Sequence, residues 1–236
     1  MNEKEFFEDF YARGKDAWQI FSNRLRTEKF EQRAQTIKGL IEKHAIQGKG
    51  LDIGCGEGFI EERLGLKVIG LEISLEALKR ARREKRMQDC VNANAVRLPF
   101  KDKAFNFILL LETLYYHDAR ALLQEARRVC KKKGRIVLTV GNKNDAGRLL
   151  RRAFGKQDED IIYSANKKQW GEKKYSLREL MELAEMHGFK VLGIKGILLN
   201  IPWMRRSTWM RRNVLFPLGN AFKPWASQVV LVGEKR

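Results

Sequence analysis

The stretch LDIGCGEGF, residues 51–59, holds the densest set of residues that could bind a ligand. Its three alternating glycines follow a strand-like apolar run, and glycines at such a turn allow the backbone to approach a bound group closely. A dinucleotide-binding loop needs G-x-G-x-x-G, but Phe59 stands at the place of the third glycine. Asp52 suits a ligand with a cationic group and is a poor neighbour for pyrophosphate. The stretch therefore predicts a binding loop of another kind.

A second carboxylate, Glu72, ends the next strand-like segment, KVIGLEI at residues 67–73. An acid at this position can accept hydrogen bonds from both hydroxyls of a ribose. Because NAD sites use the same device, Glu72 alone does not discriminate between nucleotide ligands. Asp52 and Glu72 together favour a ligand other than a dinucleotide.

Strand-like and helix-like segments alternate along the chain and must position these residues. The predicted strands are residues 51–54, 67–73, 90–95, 105–111 and 135–140, with closing strands in 188–200 and 226–233. The predicted helices are residues 30–46, 59–65, 74–86, 119–134 and 177–188. We expect Ser74 and the pair Ser176 and Glu179 to cap helices, and Lys131–Lys133 and Gly134 to end the fourth helix. The alternation predicts an α/β fold with a doubly wound, mostly parallel seven-stranded sheet, whose ligands bind at the carboxyl ends of the strands.

A third motif follows the predicted third strand. It consists of Asn94 and Ala95, then Arg97-Leu98-Pro99-Phe100, then Phe105-Asn106-Phe107 at the start of strand four. With the glycine loop and the two acids, this combination resembles the class I S-adenosylmethionine-dependent methyltransferases, in particular the broad group with G-D-A-x-x-L-P-F followed by F-D. The resemblance covers residues 48–140 closely and the remainder only in topology. It implies a Rossmann-like methyltransferase fold with a helical lid, and S-adenosylmethionine as cofactor.

The resemblance also implies which residues bind the cofactor. The methionine moiety and its ammonium would be lined by Asp52, Gly54, Cys55 and Gly56. Glu72 would hold the ribose hydroxyls, and Ile73 would lie against the adenine. Asn94 stands where the family usually has Asp, and its side-chain oxygen can still accept a hydrogen bond from the adenine amino group. Ala95 would offer its backbone amide to the ring, and Leu110 and Leu111 would place backbone beside the methionine end.

His117, in the segment ETLYYH after strand four, is the candidate catalytic residue. A sulfonium arrives already activated, so the protein mainly aligns the acceptor, and we expect no metal site. A general base is needed only if the acceptor is protonated, as a hydroxyl is. The alternative interpretation, a polar histidine near a helix start, stays open at this point.

The remaining segments are interpreted as a lid on a single domain of residues 1–236. We expect an N-terminal lid in 1–30, a cofactor-binding core in 31–140, a substrate-side lid and insert in 141–225 and a final strand in 226–236. The insert repeats Trp-Met-Arg-Arg six residues apart, from Trp203 and from Trp209. Three interpretations remain open: a lid over the substrate, a surface that lies on an anionic bilayer, or one that binds RNA.

The formal net charge of +18 is unevenly distributed, since no acidic residue lies between Glu185 and Glu234. Such a bias indicates an anionic neighbour or a merely basic surface. Three widely spaced cysteines, an acidic N-terminus and the lack of a long apolar run predict a cytoplasmic protein without a transmembrane segment. The favoured hypothesis is a methyltransferase with a small-molecule or lipid-like acceptor. The alternatives are an RNA methyltransferase and a noncatalytic protein that binds the cofactor.

Overall fold

The computed structural model describes residues 2–12, 20–154 and 174–236. Parts of both predicted lid segments, residues 13–19 and 155–173, therefore lie outside the described residues. Within the described ranges, no helix is both long and apolar enough to cross a bilayer.

Seven strands form one mixed sheet. They are β1 (Gly50–Ile53), β2 (Val68–Glu72), β3 (Cys90–Asn92), β4 (Phe105–Leu111), β5 (Cys130–Gly141), β6 (Phe189–Leu199) and β7 (Ala226–Lys235). Their order in the sheet is β3-β2-β1-β4-β5-β7-β6. The first five pair in parallel, and β7 runs antiparallel between β5 and β6. This confirms the predicted doubly wound sheet and its two closing strands.

Helices cover both faces of the sheet. Those outside the segment between β6 and β7 are α1 (Glu3–Ala12), α2 (Arg24–Lys43), α3 (Phe59–Leu64), α4 (Leu75–Arg83), α5 (Ala119–Val129), α6 (Ala146–Ala153) and α7 (Leu177–Met186). Short helical turns between β6 and β7 span Met204–Arg206, Thr208–Met210, Arg211–Leu215, Phe216–Ala221 and Lys223–Trp225. One apolar core packs under α5 and α7, and a second packs under α2 and α3.

The predicted caps of α4 and α7 are confirmed. The Ser74 side chain accepts from the backbone N–H of Ala77 at the start of α4. Ser176 and Glu179 form the predicted capping box of α7. These caps set where each helix begins, because their side chains satisfy backbone N–H groups of the first turn.

Several predicted boundaries are wrong, including the end of α4, which lies at Arg83 rather than at residue 86, and three of them have an identifiable cause. Helix α5 ends at Val129, and β5 begins at Cys130, so Lys131–Lys133 are not in a helical last turn. The reason lies far along the chain, since the Lys235 ammonium donates to the carbonyls of Arg127 (2.6 Å) and Cys130 (2.7 Å) and so satisfies this helix end. Helix α2 runs over Arg24–Lys43 rather than 30–46, because the Asn23 side chain caps it.

The third boundary concerns β3, which stops at Asn92, so Asn94 and Ala95 lie in the following loop. The Asn92 side-chain amide donates to the carbonyls of Glu72 (3.0 Å) and Ile73 (2.8 Å). These bonds tie the end of β3 to the end of β2, and they leave the next residues free to turn away from the sheet.

Candidate active site

The glycine loop after β1 is a tight turn in which the backbone itself requires glycine. Gly54, Gly56 and Gly58 have φ of +79°, +54° and +77°, a region that glycine adopts without strain. The N–H of Gly54 donates to the carbonyl of Leu71 at 2.7 Å, which ties the turn to β2. A Cβ on Gly54 would lie 2.7 Å from both Oγ1 and Cγ2 of Thr113, so this position is closed to any side chain.

Glu72, at the carboxyl end of β2, holds the glycine loop against the start of α4. Its Oε2 accepts from the N–H of Gly56 at 3.1 Å, and its Oε1 accepts from those of Ile73 at 2.9 Å and Ser74 at 3.0 Å. Burial raises the pKa of Glu72, although these hydrogen bonds offset part of the rise. The carboxylate retains lone pairs toward the cavity that could accept from a ligand's hydroxyls.

Asp52 and Glu61 form a buried carboxyl pair below the glycine loop. Both are almost inaccessible to solvent, and burial raises the pKa of both, with the charge of Glu61 raising that of Asp52 further. Asp52 Oδ1 and both carboxyl oxygens of Glu61 have no conventional hydrogen-bond donor. Since a carboxylate carries no proton to donate, a hydrogen bond between the two carboxyls requires that they share one.

Beyond β4, Glu112 adds another carboxylate to the lining of the same cavity. Its backbone is left-handed, with φ of +61°, a strained conformation for a side-chain-bearing residue. Its Oε2 accepts from the Tyr115 hydroxyl at 2.8 Å, and that hydroxyl accepts from the N–H of Gly141. Arg33 of α2 approaches Oε1 of Glu112 at 3.8 Å. Strain of this kind is common at active sites, where the surrounding structure holds it in place.

Helix α1 covers this region, and Glu8 anchors it. The Glu8 carboxylate accepts from the Ser74 hydroxyl and from the N–H groups of Leu75 and Glu76, at 2.8–3.0 Å. Burial raises the pKa of Glu8, but these hydrogen bonds outweigh it, and the net pKa is lowered. An aromatic cluster of Phe6, Phe7 and Tyr11 packs beneath α1 against Ile73 and Tyr116.

His117 lies under the same helix. Its Nδ1 is 2.9 Å from Oε1 of Glu3, and only 8% of its side chain is exposed. His117 and Glu72 line the same cavity. Because the Glu3 carboxylate contacts Nδ1, Nε2 is the ring nitrogen that can take a proton from an acceptor.

One cavity of about 660 Å³ joins these groups. Among the predicted site residues, it is lined by Asp52, Gly54, Cys55, Gly56, Glu72, Ile73, Ala95, Leu111 and His117. Asn94 and Leu110 are not in its lining. The Asn94 side-chain oxygen accepts from the N–H of Val96 in its own loop at 2.9 Å. The Leu110 side chain is fully buried in the sheet core.

The cavity also contains charged groups that the sequence did not single out. Glu61 and Glu112 lie in the lining near the cradle of Asp52 and the glycines. Basic side chains line the walls formed by α2 and α6, namely Arg26, Lys29, Arg33, Arg148 and Arg151. The spacing of the first three, at positions i, i+3 and i+7 of α2, is a signal for one helix face that could have identified them. Glu61 offers no such signal, because an acid in the first turn of a helix is usually exposed and serves the macrodipole.

The residues present fit the expected cofactor. Buried Asp52 lines the cavity with an Oδ1 that has no hydrogen-bond partner and that an ammonium could satisfy, and Glu72 offers a buried acceptor one strand away. The glycine turn leaves the backbone between them without side chains that would block a ligand, apart from the half-buried Cys55. A buried carboxylate oxygen without a hydrogen-bond donor, as in Asp52, calls for a cationic ligand rather than pyrophosphate.

Comparisons with known proteins point in the same direction. The family model described as "Methyltransferase domain" matches residues 51–138. Uncharacterized protein MJ1123 of Methanocaldococcus jannaschii is 30% identical over 187 residues, which cover 77% of this chain and 80% of that protein. The ubiquinone biosynthesis O-methyltransferase of Bos taurus is 26% identical over 233 residues, which cover 91% of this chain and 60% of that protein.

A solved structure shows the same fold at low sequence identity. The crystal structure of magnesium protoporphyrin IX methyltransferase from Synechocystis PCC 6803, with bound SAH, matches with a TM-score of 0.64. It is 13% identical in sequence, and the match covers 100% of both chains.

Proposed function

We propose, from the premise that this chain belongs to the class I S-adenosylmethionine-dependent methyltransferases, that it methylates a small-molecule or lipid-like acceptor. The observation that carries this proposal is one continuous cavity. It joins the carboxylate and glycine cradle to Glu112, Tyr115 and His117 under helix α1. A volume of about 660 Å³ falls within the range of small-ligand pockets, roughly 300–1,000 Å³. The cavity therefore suits a cofactor and a small acceptor better than a folded RNA.

In this proposal, the residues of the cradle bind and orient the cofactor. Asp52, in its ionised form, pairs with the ammonium, and Glu72 accepts from the ribose hydroxyls. Gly54, Cys55 and Gly56 line the methionine moiety. When bound, the cofactor supplies a methyl group on a positively charged sulfur, already activated toward a nucleophile. The aromatic cluster beneath α1 excludes water from this end of the cavity.

Two residues compete for the role of general base if the acceptor is a hydroxyl. The O-methyltransferase relative supports an oxygen acceptor, and such a group must lose its proton. His117, oriented by Glu3, is the predicted base, and Glu112, held by Tyr115, is the second candidate. We propose His117, because Glu3 contacts its Nδ1 and leaves Nε2 to accept the proton, whereas Glu112 already accepts a hydrogen bond from the Tyr115 hydroxyl.

Single variants distinguish the two candidates. His117→Asn is expected to lower kcat/KM for a hydroxyl acceptor by about 10²–10⁴-fold. Glu112→Gln is the matched control and should lower kcat/KM by much less. A loss of that size in Glu112→Gln, with little change in His117→Asn, would reverse the assignment.

The acceptor class is tested by product partition. The protein is incubated with methyl-labelled S-adenosylmethionine and cell extract, and the label is counted in RNA, protein, organic and aqueous fractions. We expect label in the organic or aqueous small-molecule fraction. Label in RNA that ribonuclease removes would contradict the proposed acceptor and favour the RNA alternative, which the net charge of +18 supports.

We also propose a cytoplasmic location. Cys55, Cys90 and Cys130 are all free thiols, and a protein without disulfides is typical of a reducing compartment. Fractionation of cells followed by immunodetection tests this placement, and recovery from a secreted fraction would contradict it.

A further inference from the structure

Large apolar side chains are exposed almost entirely on one edge of the molecule. Among the described residues, nine such side chains are exposed, and eight lie at the edge of the sheet where β1, β2, β4 and β5 end. These eight, which we call the apolar rim, are Phe21, Leu75, Leu149, Phe154, Trp203, Trp209, Phe222 and Trp225. The ninth, Met186, lies at the end of α7. This one-sided distribution differs from the scattered exposure that is normal on a protein surface.

The tryptophans of the rim belong to a segment that is firmly packed on its inner side. Arg211 is buried and forms an ion pair with Glu28 of α2, at 2.5 Å between Nε and Oε2. Leu215 and Phe216 are buried in the core under α2. Trp203 (64% exposed) and Trp209 (65% exposed) lie on the outer face of this segment. Because the inner face is packed against the core, their exposure does not result from a loosely attached segment.

Exposed cations accompany these tryptophans at regular spacing. Arg206 follows Trp203 by three residues, and Arg212 follows Trp209 by three, so each pair shares one side of a helical turn. Both arginines are exposed. No acidic residue occurs between Glu185 and Glu234, so no carboxylate of this segment opposes them. Arg212 also lies 3.7 Å from Oε1 of Glu28 in α2, although its side chain is 65% exposed. The outer face therefore combines amphipathic aromatic rings with exposed positive charge.

The rim also adjoins the main cavity. Trp203 and Arg206 line a cleft together with Asn23 and Leu25 of the α2 start. Asn23 and Leu25 also line the main cavity. A surface that contacted the rim would thus lie beside the main cavity.

We propose that the apolar rim docks this protein on an anionic lipid bilayer, with the cavity entrance facing the membrane. Tryptophan rings sit at the level of the headgroups, and the arginines contact lipid phosphates. A bilayer fits the rim better than RNA does, because Leu75 and Leu149 can enter lipid but offer no ring on which a base could stack. Docking of the rim rests on the proposed function, and it would let the protein take up a lipid-like acceptor from the bilayer.

The test measures binding to vesicles in the absence of any acceptor, so its failure would leave the proposed function standing. The full chain is floated with vesicles of phosphatidylcholine that contain phosphatidylglycerol, and with vesicles of phosphatidylcholine alone. We expect the protein to float with the anionic vesicles and to be released by salt. Protein that stays at the bottom of the gradient with both vesicle types would overturn the proposal.

Variants of the rim identify the surface that binds. Arg206→Gln with Arg212→Gln should weaken vesicle binding by roughly 25-fold, about fivefold for each arginine removed. Trp203→Ser with Trp209→Ser should weaken it by about tenfold or more, since both rings leave the interface. The matched controls, Met186→Ser for exposed apolar area and Lys132→Gln with Lys133→Gln for charge, should bind as the original protein does. Melting temperatures verify that each variant is folded.

Two outcomes would overturn the assignment to lipid. Equal vesicle binding by the rim variants and the controls would mean that another surface docks. Retention on single-stranded RNA that the tryptophan variant abolishes, without binding to anionic vesicles, would assign the rim to nucleic acid.

Discussion

Replacement of Glu61 by Gln should stabilise this protein in the absence of cofactor, although it removes a fully buried native side chain. In the native protein, the carboxyls of Asp52 and Glu61 face each other, and three of their oxygens have no hydrogen-bond donor. A glutamine amide at position 61 would donate to the Asp52 carboxylate and would remove a like charge beside it. Asp52 could then ionise without a shared proton.

The expected magnitude follows from that one new hydrogen bond. A hydrogen bond to a charged group contributes about 1.5–3 kcal/mol to the free energy of unfolding. For a chain of this size, each kcal/mol raises the melting temperature by about 2–4 °C, so we expect a rise of about 3–12 °C near pH 8.

The effect should depend on pH in a defined direction. Burial raises the folded-state pKa of Asp52 and Glu61 above their ordinary values of 3.8 and 4.5. The protonated pair therefore stabilises the fold fully below about pH 4, and that contribution is lost as pH rises through the raised values. The difference between Glu61→Gln and the original protein should be small near pH 4 and grow toward pH 8.

Thermal unfolding by circular dichroism, scanned from pH 4 to pH 8, measures this difference. Glu62→Gln is the matched control, because Glu62 is on the same helix but its side chain is 47% exposed. The control should change the free energy of unfolding by no more than about 0.5 kcal/mol. A loss of stability in Glu61→Gln at pH 8, or a gain that does not vary with pH, would refute the shared-proton interpretation.

Three further substitutions test the cradle and the lid. Glu72→Ala should weaken S-adenosylmethionine binding by about 1–3 kcal/mol in calorimetry, through lost charge-assisted hydrogen bonds, and unchanged affinity would remove Glu72 from the site. Gly54→Ala should lower both cofactor affinity and melting temperature, because the added Cβ would clash with Thr113. Gly39→Ala is the control: a Cβ there would lie in open space within α2, so this variant should raise the melting temperature. Glu8→Ala should loosen α1 and so speed cofactor release in stopped-flow measurements, and equal release rates would show that α1 is no lid. The Glu8 carboxylate contributes its full stabilisation above its ordinary pKa of 4.5. That stabilisation should be lost as pH falls through the lowered folded-state pKa.

Local patterns in the sequence predicted much of the fold. Residues 105–111 form β4 as predicted, since their apolar run matches a strand buried on both faces. The caps at Ser74 and Ser176 were recognisable because a cap depends on residues only three positions apart. The glycine turn and Glu72 were likewise recognisable, since both lie directly after a predicted strand.

Features that depend on distant residues were not predictable from these patterns. The end of α5 is set by Lys235, more than one hundred residues later, so the lysine run after α5 suggested a longer helix than the fold permits. The burial of Glu61 against Asp52 arises from the packing of α3 under the glycine turn. Glu112 enters the cavity through a left-handed backbone that nothing in its residue type indicates.

The place of β7 in the sheet has a consequence for how the chain is made. Because β7 (Ala226–Lys235) lies between β5 and β6, neither neighbour can pair on that side until residues 226–235 have left the ribosome. During synthesis, β5 therefore presents a bare edge of strongly apolar strand, and such edges recruit other chains. Nascent molecules of this protein should depend on chaperones until β7 has emerged, and a stall between β5 and β7 should be more damaging than one before β5 is complete.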